Sequence, residues 1–369
     1  MTGDIAIVGG GPAGAYLGYC LARNGVCATI FDDSHPREKP CGGGLTPFAL
    51  EKFPLLKEVP GSYRYVDKVL FISPGGSEAM VSGQPIMNVS RESLDGYLLK
   101  KAVDNGAELI EERVTGVERG NDGWLVRTVS GEYRPQLLVG ADGVNSVVRS
   151  RVIGRIPKDN MAACIGYYVK GVERDYSVLR FFKDFKGYAW IFPRESHSSI
   201  GIGLDIKRAK HLPDYLNKFI EDYCPDIEKI SPFGALVPAA RDPKFYKAPC
   251  SGEDWALIGD AAGHVDPVLG EGIRYALWDA ELAAGAILSG RPETFDALWR
   301  EAYYRDFVEA CKLRDFIYDP GMLERGVNLI SRSGTFAHIM MGVIAGTQSY
   351  RSLRKTVIAS LPKILSEVK

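Results

Sequence analysis

Residues 4–14 read Asp4-Ile-Ala-Ile-Val-Gly9-Gly-Gly11-Pro-Ala-Gly14, and this stretch decides the fold. A short apolar strand runs into a glycine turn and then into a helix. Gly9, Gly11 and Gly14 make the G-x-G-x-x-G spacing. The first glycine permits the tight turn, the second lets backbone approach a pyrophosphate, and the third lets helix and strand pack closely. The helix start, Pro12-Ala13-Gly14, aims free N–H groups and a positive dipole end at the phosphates. Pro12 suits the first turn, where its missing N–H costs nothing. Asp32 follows Gly9 by 23 positions. That is near the spacing of about 20 for an acid that accepts hydrogen bonds from a ribose. Asp33 is adjacent, and register favours Asp32.

The chain has 369 residues, enough for two packed units. Its 45 basic and 46 acidic residues give a net charge of −1, which argues against nucleic-acid binding. No basic stretch with an apolar core precedes the first strand, so a cytoplasmic location is expected. The apolar run 336–346 is shorter than the roughly 18 residues a membrane helix needs. Seven scattered cysteines and five histidines show no metal-ligand spacing, so no metal is expected.

Outward from the glycine turn, residues 15–24 read as a helix stopped by Gly25. A helix is predicted to about 105, strands over 108–119 and 123–128, and a buried strand ending at Asp142-Gly143. The stretches 161–172, 177–182, 187–192 and 198–205 are β-rich, followed by a helix over 214–223. A buried strand returns at Trp255 and ends in Gly259-Asp260; residues 272–289 read as a helix, and the chain is helical from 295 onward. The predicted class is α/β. A Rossmann-like nucleotide domain comprises 1–59, 87–155 and 245–290. A mostly antiparallel sheet domain, 60–86 with 156–244, is inserted into it, and 291–369 forms a helical C-terminal region.

Two further segments carry chemistry. Lys39-Pro-Cys41-Gly42-Gly43-Gly44 places a cysteine before three glycines, which let backbone pass close over a flat ring system. In Tyr188-Ala-Trp190-Ile-Phe192-Pro193 the three aromatic residues share one strand face. They make a wall about 13 Å long.

On these motifs the chain resembles the flavoprotein superfamily that includes the aromatic hydroxylases, and within it the geranylgeranyl reductase family. The likeness runs over nearly the whole length. It implies FAD as cofactor. Asp260 matches the ligand of the ribityl chain, Asp142-Gly143 the turn near the pyrophosphate, and Arg91, in the R-x-x-L-D pattern, a contact to the flavin's polar chain. Gly270, Gly272 and Ile273 match a helix start beside the flavin's pyrimidine edge. Cys41–Gly44 match the K-P-C-G-G signature, and Tyr188, Trp190 and Phe192 match Y-x-W-x-F-P. The family continues with Lys after that Pro; here Arg194 stands instead.

The resemblance implies reduction of C=C bonds in a polyprenyl chain, with hydride from flavin N5 and a proton to the other carbon. Cys41 is the candidate proton donor. Tyr188 and Trp190 would stabilise developing positive charge through their π faces, and with Phe192 would hold the chain. With one glycine fingerprint only, the reductant is NAD(P)H or a ferredoxin. Arg351, Arg354, Lys355 and Lys363 among apolar residues fit contact with an acidic membrane surface, making the protein peripheral there.

The first alternative is an FAD-dependent monooxygenase or halogenase. Tyr188 and Phe192 depart from the halogenase W-x-W-x-I-P, and Ile273 stands where hydroxylases often carry Asn. A second is a non-catalytic prenyl-binding protein of the Rab escort type, which need not keep the Gly-Asp and Cys-Gly-Gly-Gly segments found here.

Overall fold

The computed structural model describes residues 4–368, which form two compact units. The first comprises residues 4–38, 91–160 and 238–305; the second comprises 39–90, 161–237 and 306–368.

The first unit is built on a six-stranded sheet ordered Ser251–Gly252, Trp255–Leu257, Leu137–Gly140, Ile5–Val8, Thr29–Phe31 and Glu108–Ile110. Only its first pair is antiparallel. Ile5–Val8, Thr29–Phe31 and Leu137–Gly140 are buried at every position, with no alternation. This is what a parallel sheet covered on both faces requires. Helices Pro12–Ala22, Arg91–Asp104 and Ile273–Leu288 belong to the same unit. The single strand expected over 108–119 is two strands. Glu108–Ile110 joins the parallel sheet, while Gly116–Gly120 pairs with Gly123–Arg127 in a three-stranded sheet.

The second unit holds an eight-stranded sheet. Its order is Glu228–Pro238, Met161–Lys170, Ser198–Asp205, Gly187–Phe192, Ser177–Phe181, Tyr63–Ile72, Glu78–Val89 and Gly44–Leu45. From Met161–Lys170 to Gly44–Leu45 the pairing is antiparallel except between Ser177–Phe181 and Tyr63–Ile72. The sheet is apolar on both faces. Ala189, Ile191, Ile200 and Ile202 pack with Leu212, Leu216, Phe219 and Ile220 of helix Leu212–Tyr223. On the opposite face Leu179 and Trp190 pack with Val327 and Ile330 of helix Pro320–Arg332 and with Ala337 and Met341 of helix Gly334–Ala345.

The expected boundaries near 87, 156 and 245 shift by a few residues, to 91, 161 and 238, and two move further. Residues 39–59 group with the sheet unit, because Gly44 and Leu45 pair with Asn88 and Met87. The region 291–369 divides: residues up to 305 group with the nucleotide unit, and the helices after it cover the sheet.

Candidate dinucleotide cradle and aromatic face

In the first unit the glycine turn is shaped by contacts no other residue tolerates. Gly9 has φ +105°, and a Cβ there would lie 2.4 Å from the Ala141 carbonyl oxygen. A Cβ on Gly14 would lie 1.9 Å from the Gly9 carbonyl oxygen. Helix Pro12–Ala22 starts at Gly11 with no side chain capping it, so its first N–H groups stay open for a ligand. The Gly10 N–H donates to Asp32 Oδ2 at 2.7 Å.

Around this turn stand the other expected residues of the unit. Arg91 grips Asp95 with two bonds of 2.8 and 2.7 Å, both residues buried. Asp142 accepts the Val147 N–H at 2.7 Å on Oδ2, while its buried Oδ1 has no partner. Burial pushes the Asp142 carboxyl up. Gly143 completes that turn with φ +78°. Gly259 backs onto the helix start: its Cβ would lie 3.1 Å from Ala13 Cβ. Gly272 adjoins Asp260, whose Oδ1 would be 3.3 Å from an added Cβ. Gly270 turns at φ +70°, and Ile273 opens helix Ile273–Leu288.

Sequence reasoning missed what holds the Gly259-Asp260 turn. The Gly259 N–H donates to Asp279 Oδ2 at 2.8 Å. The same carboxylate takes His264 Nδ1 at 2.8 Å and the Tyr303 hydroxyl, and all three side chains are buried. Burial pulls the His264 pKa down, but Asp279 and Cys250 outweigh it and the pKa is pushed up to about 10. Arg149 donates to the carbonyls of Ala261 and Ala262 at 3.0 and 3.2 Å. No local pattern marks these residues, since their partners lie 15 to 113 positions away.

The second unit brings the Cys41 loop and the aromatic strand together. The Cys41 carbonyl accepts from Ser199 Oγ at 3.1 Å, and the Trp190 indole N–H donates to that hydroxyl at 3.1 Å. Arg194, 2% exposed, donates to the carbonyls of Cys41 and Gly42 at 3.2 and 3.3 Å. A Cβ on Gly42 would strike the Phe192 ring at 2.3 Å. Gly43, φ +74°, lies against the Val89 carbonyl, and Cys41 Sγ accepts its N–H at 3.3 Å. Gly44 begins the edge strand.

Tyr188, Trp190 and Phe192 do share a face, with ring centroids 6.1 and 6.5 Å apart. The structure adds a shelf beneath them. Trp190 pairs with Gly201, and an added Cβ there would meet the indole at 2.3 Å. Gly166, paired with Gly201, would likewise strike Phe233, whose ring stacks with Trp190 at 6.4 Å. Strand glycines thus let large rings lie flat on the sheet.

The family described as geranylgeranyl reductase catalytic domain matches residues 160–237. An uncharacterized protein of Methanosarcina barkeri is 32% identical, over 89% of this chain and 86% of that one. A digeranylgeranylglycerophospholipid reductase of Methanocaldococcus jannaschii is 27% identical, over 85% and 83%. The chain belongs to the geranylgeranyl reductase family.

It is therefore a flavoprotein oxidoreductase. A geranylgeranyl bacteriochlorophyll reductase-like structure from Thermoplasma acidophilum shares the fold with TM-score 0.80 and 20% identity, covering 100% of this chain and 98% of that one. A halogenase solved with FAD shares it at TM-score 0.69 and 16% identity, over 100% and 85%. The glycine cradle, the open helix start and the unpartnered Asp142 oxygen fit such a dinucleotide.

Proposed function

We propose that this reductase saturates C=C bonds of a geranylgeranyl chain carried on a glycerolipid. The observation that carries the reading is the buried aromatic face of Tyr188, Trp190 and Phe192. It is hydrogen-bonded through Ser199 to the Cys41 loop and packed under apolar helices. The digeranylgeranylglycerophospholipid reductases among its relatives support the substrate class.

The face recognises a chain by burial. About 0.8 kcal/mol per CH₂ gives a gross term on the order of 10 kcal/mol for about twenty carbons, so the head group need contribute little. FAD, when bound, supplies the hydride. Gly9, Gly11, Pro12, Ala13 and Gly14 would hold its pyrophosphate, with Asp32, Arg91, Asp142, Gly143, Asp260, Gly270, Gly272 and Ile273 around it. An isolated alkene accepts hydride poorly, so positive charge builds at the tertiary carbon as the proton arrives. The π faces of Trp190 and Tyr188 stabilise that carbon by about 1–2 kcal/mol in a dry site. Cys41 Sγ holds the proton for the second carbon; its orientation is fixed by the Gly43 N–H.

Among the described residues no helix is long and apolar enough to cross a membrane. A lipid substrate is instead reached by lying on its surface. Helix Tyr350–Val368 exposes Ile358, Leu361 and Leu365 at 55%, 41% and 60%. Arg351, Arg354 and Lys355 are exposed at the other end of the helix. That pattern fits an anionic bilayer. The electron donor is a nicotinamide or a ferredoxin, and both belong in the assay.

The test is anaerobic. Dithionite-reduced protein receives a geranylgeranyl glycerolipid, with flavin absorbance and lipid mass followed together. Reoxidation with a gain of two mass units per double bond is expected. Flavin that stays reduced until oxygen enters, followed by an oxygenated product, overturns the proposal in favour of a monooxygenase. Cys41→Ser is expected to slow the single turnover; full retention removes the proton-donor role.

A further inference from the structure

Asp32 has little acceptor capacity left for a ligand. Its Oδ1 accepts the N–H groups of Ser34 and His35 at 2.7 and 2.8 Å and the Ser34 hydroxyl at 3.1 Å. Its Oδ2 accepts the Gly10 N–H at 2.7 Å and His35 Nδ1 at 2.9 Å. A carboxylate offers about four lone-pair sites, so the chain itself fills them.

His35 is differently placed. Its side chain is 8% exposed. Nε2 lies 3.3 Å from Asp95 Oδ2 but makes no well-aligned hydrogen bond there. The same nitrogen lies at the glycine turn, where a Cβ on Gly11 would be 3.7 Å from it. The second glycine of the fingerprint is the point at which backbone comes closest to a dinucleotide. A buried donor edge thus faces the place where ligand oxygen arrives.

We propose that His35 is a further dinucleotide-binding residue, donating from Nε2 to an oxygen of the bound FAD at the Gly11 turn while Nδ1 holds Asp32. The assignment rests on the FAD reading of the cradle. Charge agrees with it. Asp32 and Asp95 are the charged groups that act on His35, and Arg91 pairs with Asp95. Two carboxylates thus stand against one guanidinium. An imidazolium at His35 restores balance beside an anionic pyrophosphate; a neutral ring leaves excess negative charge there. Burial lowers the His35 pKa, but the bond to Asp32 and the negative charge of nearby Asp95 outweigh it and hold it above the usual value. The shift favours the cation, and FAD affinity is expected to fall as pH rises through the raised pKa.

The experiment titrates apoprotein with FAD by flavin fluorescence between pH 6 and 10, for wild type, His35→Asn and His35→Gln. Asn places an amide near Nδ1, keeping the Asp32 contact while losing the Nε2 edge; Gln extends to the Nε2 position. His35→Asn is expected to bind FAD roughly tenfold more weakly at pH 7. Its circular dichroism should be unchanged and its affinity less dependent on pH. His35→Gln should recover part of the loss. His35→Asn binding FAD as wild type does would overturn the assignment and leave the flavin reading intact. Wild-type apoprotein that takes up no FAD would overturn both.

Discussion

Replacing Arg194 by methionine tests the clamp on the Cys41 loop. Methionine keeps most of the buried stem but removes every donor. Two hydrogen bonds from a charged group to the carbonyls of Cys41 and Gly42 disappear, together with the contact to His197 Nε2. Such bonds contribute about 1.5–3 kcal/mol each, and lengths of 3.2 and 3.3 Å argue for the low end, about 3 kcal/mol together. No longer burying a cation offsets part of this, leaving a loss of about 2 kcal/mol. Arg194→Lys keeps the charge, but a single ammonium cannot reproduce the planar fork that serves both carbonyls and His197; about 1 kcal/mol should be lost. Thermal unfolding should show Arg194→Met lower by about 2–3 °C, with Arg194→Lys between it and wild type. Peptide-resolved alkylation should show faster modification of Cys41 in the Met variant, because its loop is no longer tied to the sheet. If Arg194→Met unfolds at the wild-type temperature and Cys41 reacts at the wild-type rate, the clamp is not what holds the loop.

Gly14→Ala forces a methyl to within 1.9 Å of backbone oxygen, so protein purified from this variant should carry no bound flavin by absorbance. The His264–Asp279 pair predicts a pH window: its stabilisation is complete below about pH 6.5, the unfolded histidine value. It is lost as pH rises toward the folded value of about 10, and urea unfolding across that range should show the decline in wild type and not in His264→Gln. Changing Ile358, Leu361 and Leu365 together to serine should abolish sedimentation with anionic vesicles while leaving reduction of detergent-dispersed lipid intact.

What the sequence made legible is the part of the site made of backbone. A phosphate turn needs glycines at fixed offsets, and Gly9, Gly11 and Gly14 fall at contacts where a side chain is impossible. The aromatic face was equally readable, because a strand repeats every two residues. Long-range supports were not. Asp279 secures Gly259 from 20 positions away, and Gly201 makes room for Trp190 from a neighbouring strand. The strand Glu228–Pro238 carries Pro232 and Gly234 inside it and reads as a turn until the sheet beside it is known. The run 108–119 breaks because its two ends pair in different sheets, a choice made by tertiary partners rather than by local preference.

The two units ask different things of a ligand, and this is why fold similarity alone leaves the chemistry open. The cradle reads phosphate and ribose by directional bonds, so it suits any reductase or halogenase that uses FAD. The sheet face, as the proposed substrate surface, would read by burial, which has no direction. Its polar groups are already committed. The Trp190 N–H goes to Ser199, Ser199 goes to the Cys41 carbonyl, and burial pushes the Cys164 thiol up to about 12, keeping it neutral. What remains for a substrate is ring faces and methyl groups. Such a surface binds a polar aromatic acid poorly, because each buried polar group left unpaired costs about 1–3 kcal/mol. On the proposed reading a prenyl chain would bind at no such cost. Selectivity for a chain over polar competitors would then follow from the donors this face withholds.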